Sequence, residues 1–228
     1  MIFRLLFSFL FLFSCADEFE AQKNKSLASF ETPGEGLPFF RGKDMEVTWK
    51  KEAKDIRKVL PFTAVDQNKS TVTLDHLKGR LAVVSFFYTS CGGICPMITG
   101  NLSKIQSRFS KDKNLVLISF SVTPEFDSPE KLKEFALRKK IHSSSWHLLT
   151  GNKEEIYHLA RTVFNADNFS VKENRIKEVT GDDFLHSENV YLVDQEQRIR
   201  GVYNGRMPSS IQELAKDIET LKKDEPTI

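Results

Sequence analysis

Cysteine is scarce in this chain, with three in 228 residues, at positions 15, 91 and 95. A disulfide-stapled scaffold would carry more of them, spread along the sequence, so the fold must rest on a hydrophobic core. An excess of one charge is also missing. Lysine and arginine total 33 against 31 acidic residues, a formal +2. That balance argues against nucleic acid as a partner and gives no basis for an acidic one. No internal repeat or low-complexity block occurs, and no apolar run is long enough to cross a bilayer as a helix. What remains, 40% hydrophobic residues in a chain of this length, suffices for one sizeable domain plus extensions.

The first residues are a separate matter. Arg4 is followed by a nine-residue apolar stretch, Leu5 to Phe13, too short to span a membrane but suited to an export signal. It ends in Leu12-Phe13-Ser14-Cys15, which resembles a bacterial lipobox. In that reading Cys15 is the lipidated first residue of the mature chain, and ordinary secretion or an uncleaved anchor is the plain alternative. The expected organisation is a signal peptide over 1–14, a tether and pre-domain segment over 15–56, and the domain over 57–228. Residues 16–36 mix charge, Ser, Pro and Gly without periodicity and read as flexible. Leu37, Phe39, Phe40, Met45 and Trp49 supply apolar anchors for the domain edge. An exported, lipid-anchored domain would face the periplasm from the bacterial cell envelope.

Within the domain, residues 60–65 and 71–74 flank a polar turn and predict a hairpin. Leu81 to Phe87 reads as a buried strand, as does Leu115 to Val122. Between them Ile98, Leu102, Ile105 and Phe109 recur at helical spacing. Ser128-Pro129-Glu130 opens another helix by cap, first-turn proline and dipole-complementing acid. Trp146 to Leu149 is a short strand, and Asn152 with Glu155 starts the helix carrying Ile156, Leu159, Ala160, Val163 and Phe164. A long polar excursion, 165–183, precedes a hairpin made of 189–193 and 199–203. Ser210 with Glu213 is expected to cap a last amphipathic helix. The order implies an α/β fold: a thioredoxin-like mixed sheet with helices on both faces and an N-terminal hairpin extension.

Cys91 and Cys95 then fall at the C-terminal end of a central strand, where open α/β sheets carry their sites, and close to a helix N-terminus, which favours thiolate. Dithiol redox motifs normally leave two residues between the cysteines. Here Gly92, Gly93 and Ile94 make three. The pair can close a disulfide, or both sulfurs can face one soft ion. Two thiolates with an imidazole suit Cu(I), and Cu(II) with some distortion. Spacing alone leaves redox pair, metal site and inert disulfide open. Of the five histidines, His158 reads as a solvated helix residue, His147 as edge or core, and His76 and His142 as residues of polar connections. His186 ends the long excursion, and a loop of that length is uncommon unless it has a function.

Motifs in order along 60–205 resemble the SCO/SenC family of copper-binding proteins that help assemble cytochrome c oxidase. They are Phe87-Tyr88-Thr89-Ser90-Cys91 with Cys95-Pro96, the segment Ile118 to Glu130, Leu149-Thr150-Gly151, and His186-Ser187 with Val190 to Asp194. The resemblance implies one copper held by Cys91, Cys95 and His186. It further implies delivery, directly or through another copper carrier, to the binuclear copper A centre of cytochrome c oxidase subunit II. A thioredoxin-like reductant would keep the dithiol open. The sequence departs from the family pattern at Gly92-Gly93 (usually Pro-Asp), Thr123 (commonly Asp), Phe126 (often Arg) and Leu185 (often Asp). These bear on copper affinity and redox potential more than on ligand identity. Asp127 keeps its place, as a turn residue or a functional one. The rival reading is a thiol-disulfide oxidoreductase that needs Cys91 and Cys95 but not His186. A thiol peroxidase would need one exposed low-pKa cysteine and no metal, whereas a copper sensor or buffer would use the same ligands as the chaperone.

Overall fold

The computed structural model describes residues 33–166 and 187–224. Its centre is a seven-stranded sheet in the order β4-β3-β7-β6-β5-β8-β9. These strands are β3 (Thr63–Asp66), β4 (Thr71–Thr73), β5 (Leu81–Phe87), β6 (Leu115–Ser121), β7 (Trp146–Gly151), β8 (Asn189–Val193) and β9 (Ile199–Asn204). β5, β6 and β7 are parallel, while β3, β4, β8 and β9 pair antiparallel at the two sides. The sheet is therefore mixed, as expected, and the 63–73 hairpin extends one side.

β5 and β6 are buried at every residue, as befits central parallel strands covered on both faces. Alternation divides their side chains. Ala82, Val84 and Phe86 face one core with Ile156, Tyr157, Leu159 and Ala160 of helix α3 (Lys153–Thr162). Leu81, Val83 and Phe87 face the other core, under α1 (Ile94–Arg108), α2 (Pro129–Lys139) and α4 (Pro208–Asp224). Three buried polar groups at the centre of this sheet are paired: the Ser85 and Ser119 hydroxyls lie 2.7 Å apart, and Trp146 Nε1 donates to Ser119 Oγ at 2.9 Å. Burial without such partners would cost these groups about 1–3 kcal/mol each.

Capping follows the sequence at two helices. Ser128 Oγ accepts from the Lys131 amide with Pro129 next to it, and Asn152 Oδ1 accepts from the Glu155 amide. The last helix differs from expectation. It begins at Pro208, not at a Ser210 cap, because the Met207 carbonyl already accepts from the Ile211 amide. Proline's fixed φ and missing N–H suit that first position. His147, expected at an edge or in the core, lies on β7 inside the sheet, and its Nδ1 is 3.0 Å from Asp66 Oδ2.

Residues 37–48, assigned from sequence to the pre-domain segment, form a two-stranded sheet of β1 (Phe39–Arg41) and β2 (Glu46–Thr48). The Phe39 ring is buried beneath the guanidinium groups of Arg200 and Arg198, at 4.0 and 4.8 Å. Arg200 also donates to the carbonyls of Pro38 and Leu37, at 3.0 and 2.7 Å, and both arginines pair with the fully buried Asp194. Among the described residues no helix is long and apolar enough to cross a membrane.

Candidate metal-binding dithiol site

β5 ends at Phe87, and α1 begins at Ile94, with Gly93 as its N-cap residue. Cys91 lies in the connecting loop and Cys95 in the first turn of α1; both are free thiols. The neighbouring strand ends in step, since the Val122 amide donates to the Phe87 carbonyl at 2.9 Å. The loops after β5 and β6 therefore leave the sheet side by side.

Environment separates the two sulfurs. Burial opposes ionisation at Cys91, but its sulfur accepts from the Cys95 thiol and amide, the Tyr88 hydroxyl and the Gly93 amide, so its pKa falls below the ordinary thiol value. Cys95 is pushed up to about 12, by burial first and then by its bond to Cys91. The helix-terminus argument thus holds for Cys91, whereas Cys95, 6% exposed within the core beneath α1, is held as the thiol. Tyr88 is raised to about 12, chiefly because its hydroxyl donates to Cys91. The arrangement presents one nucleophilic sulfur with a second in contact, a geometry that serves disulfide exchange and soft-metal ligation alike.

A cleft of about 260 Å³ opens over the pair, bounded by Phe87, Tyr88, Cys91, Cys95, Val122 and Ser187. Ser187 reaches it because β8 runs antiparallel to β5, with Val190 opposite Ser85. The start of β8 therefore lies at the cysteine end of β5. Neighbouring groups fix that entry. The Gly205 amide donates to the Glu188 carbonyl at 2.7 Å, Arg206 pairs with Glu188 at 2.8 Å, and Asn189 N–H donates to Ser187 Oγ. Asn101 of α1 closes the contact by donating to the Gly205 and Arg206 carbonyls.

His186 and Cys15 lie outside the described residues. Among those described, no group of three His, Cys, Asp or Glu side chains converges as a metal site, and His76, His142, His147 and His158 do not line the cleft. Tyr88 is a contributor that sequence reasoning left without a role, and Asp127 is one that it left open between a turn residue and a functional one. Tyr88 stands in the motif beside the cysteines, but nothing local shows that its hydroxyl faces the sulfur. Asp127 acts across 38 residues on Thr89.

A family model described as SCO1/SenC matches residues 50–223. The chain is 31% identical over 165 residues to a SCO1 protein homolog of Bacillus subtilis, covering 71% of this chain and 81% of that protein. Among solved structures it is similar to BsSco, a member of the Sco family of cytochrome c oxidase assembly proteins, whose structure is described as identifying a disulfide switch. That likeness has a TM-score of 0.61 at 30% identity and covers 73% of this chain and 94% of that one. A second likeness is to copper-bound ScoI of Bradyrhizobium japonicum, with a TM-score of 0.56 at 25% identity over 72% of this chain and 99% of that one.

Proposed function

This chain belongs to the SCO1/SenC family, and from that premise we propose that it carries one copper ion as cargo, on Cys91, Cys95 and His186, for cytochrome c oxidase assembly. The observation that carries the reading is the cleft itself. Two sulfurs in contact form one wall, and Ser187, the residue bonded to His186, forms another. The donor set fits the cargo: thiolates select Cu(I), and imidazole suits copper in either state. The copper-bound relative and the oxidase-assembly relative support the same reading.

The acceptor in this reading is the copper A centre of cytochrome c oxidase subunit II. Lipidation at Cys15 would hold the domain on the periplasmic side of the bacterial membrane. Release follows from the chemistry of the pair. Closing the disulfide gives up two electrons and two protons to an oxidant such as a partner disulfide, and it removes two ligands at once. Reduction by a thioredoxin-like dithiol restores them.

Copper loading of the reduced protein tests the reading, with wild type beside Cys91→Ser and His186→Ala. We expect one copper per wild-type chain, with thiolate-to-Cu(II) absorption that both variants lose. Wild-type stoichiometry and affinity in His186→Ala would overturn the three-ligand site. The second reading, a thiol-disulfide oxidoreductase, draws on the low-pKa Cys91 beside the buried Cys95 thiol. It is favoured if His186→Ala keeps full disulfide-exchange activity while no variant, nor the wild type, retains copper.

A further inference from the structure

The loop that carries Cys91 is held unequally at its two ends. On the α1 side stand Gly92 and Gly93. A Cβ at either would meet open space, and neither has the positive φ that calls for glycine. Their presence relieves no clash and leaves that side of the loop conformationally free. On the β5 side stands Thr89, which is clamped. Its amide donates to Asp127 Oδ2 at 3.1 Å, and its hydroxyl donates to Asp127 Oδ1 at 2.5 Å.

Asp127 is a built anchor. It is 1% exposed, and its Oδ2 also accepts from the Ser121 hydroxyl at 2.5 Å and the Thr123 hydroxyl at 3.1 Å. Thr123 is held in turn by its amide's bond to Ser121 Oγ at 3.1 Å. Among the described residues no cation pairs with this carboxylate. Its negative charge is met entirely by one N–H and three O–H donors, bonds of the stronger, charge-assisted kind. Two of the four come from the cysteine loop and two from the end of β6 and the turn after it. A residue serving only the turn before α2 would need none of the first two.

We propose that Asp127 is a positioning residue for the dithiol. Its carboxylate fixes Thr89, and through Thr89 it fixes the approach of Cys91 to Cys95. The copper part of this inference rests on the function proposed above; the dithiol part does not. With the clamp removed, the glycine side holds the loop only through the bonds that the Cys91 sulfur accepts from Gly93 and Cys95. The two sulfurs then spend less time in contact, which weakens both the shared ligation of one ion and the closure of the disulfide.

The test uses the full chain in four forms: wild type, Asp127→Asn, Thr89→Val and Ser128→Ala. Asp127→Asn replaces acceptor with donor on one side of the clamp. Thr89→Val removes one bond from the loop side without changing any charge. Ser128→Ala removes the α2 N-cap bond one residue from Asp127 without touching Thr89. Each form is equilibrated in glutathione redox buffers to read the dithiol–disulfide constant, and each is titrated with Cu(I) against a chelator. Residues that orient metal ligands typically change affinity roughly 10–100-fold when mutated. We expect about a tenfold loss of copper affinity in Asp127→Asn. The same variant should show about a tenfold fall in the disulfide-forming constant, equal to about 30 mV for this two-electron couple. Thr89→Val should move both in the same direction by a smaller factor, and Ser128→Ala should lower Tm while moving neither.

If Asp127→Asn does not fold, Thr89→Val decides. Folded Asp127→Asn and Thr89→Val with wild-type constants would overturn the proposal, as would an equal shift in Ser128→Ala. A wild type that binds no copper would sink the metal reading alone, since the redox constants still decide whether Asp127 positions the pair.

Discussion

Cys91 and Cys95 show how far four residues can separate two identical side chains. Cys91 has a depressed pKa despite burial because four donors face its sulfur; Cys95 is held up to about 12 by burial and by the thiol bond it donates. The sign of the pH dependence follows. Thiolate is the reactive form, so Cys91 should be alkylated first at neutral pH, with a rate–pH midpoint below the ordinary thiol value of 9.0. Tyr88→Phe removes a donor to Cys91, so its midpoint should rise and its neutral-pH rate fall. Iodoacetamide labelling followed by mass spectrometry reads both; preferential labelling of Cys95 would contradict the assignment. The sequence made the pair and its helix terminus legible, because both lie in one short stretch. It did not reveal which sulfur ionises, since that depends on the burial of Cys95 and on which sulfur donates to the other. Asp127 was visible only as a position in a motif, because its partner Thr89 is remote in the chain and no local pattern reports such a contact.

At the scale of elements, two contacts outside the dithiol hold the fold, one at the far end of the sheet and one at the entry to β8 beside the cleft. The first docks β1 on the sheet. Phe39 is stacked against Arg200 and Arg198, whose charges are met by Asp194 and by the Leu37 and Pro38 carbonyls. Truncating a buried phenylalanine costs about 3–5 kcal/mol, so Phe39→Ala should lower stability to urea by roughly 3 kcal/mol. A loss below about 1 kcal/mol would show that β1 is a passenger, since ordinary surface changes stay within about 0.5 kcal/mol. The second contact is at Gly205. An added Cβ there would come within 2.9 Å of Val190 Cγ2 and 3.0 Å of both the Glu188 carbonyl and Ile98 Cγ2. Gly205→Ala should therefore cost about 1–3 kcal/mol and disturb the entry to β8. Thermal unfolding checks it, and an unchanged Tm would mean the strands simply separate to make room. The apolar anchors of 37–49 were legible one by one, but three-residue strands are too short to show an alternation. The Ser210–Glu213 pair had the spacing of a capping box and lost to Pro208, because real helix starts are decided by which carbonyl accepts first.

At the scale of the whole molecule, topology does what no single residue can. Parallel β5 and β6 bring the cysteine loop and the Asp127 loop to one edge, and antiparallel β8 returns the chain to that edge from the other direction. This much was legible from the order of apolar runs and capping signals, because buried parallel strands and amphipathic helices differ so plainly in period. The convergence of Ser187 on Cys91 and Cys95 was legible only through the family resemblance, since pairing between distant strands leaves no mark in local periodicity. The central claim is that this convergence is a copper site. X-ray absorption spectroscopy of the copper-loaded wild type tests it most directly. The account predicts two sulfur scatterers and one imidazole nitrogen around a single copper, with the imidazole signal lost in His186→Ala. A shell of oxygen and nitrogen without sulfur, or one unchanged by that substitution, would contradict it.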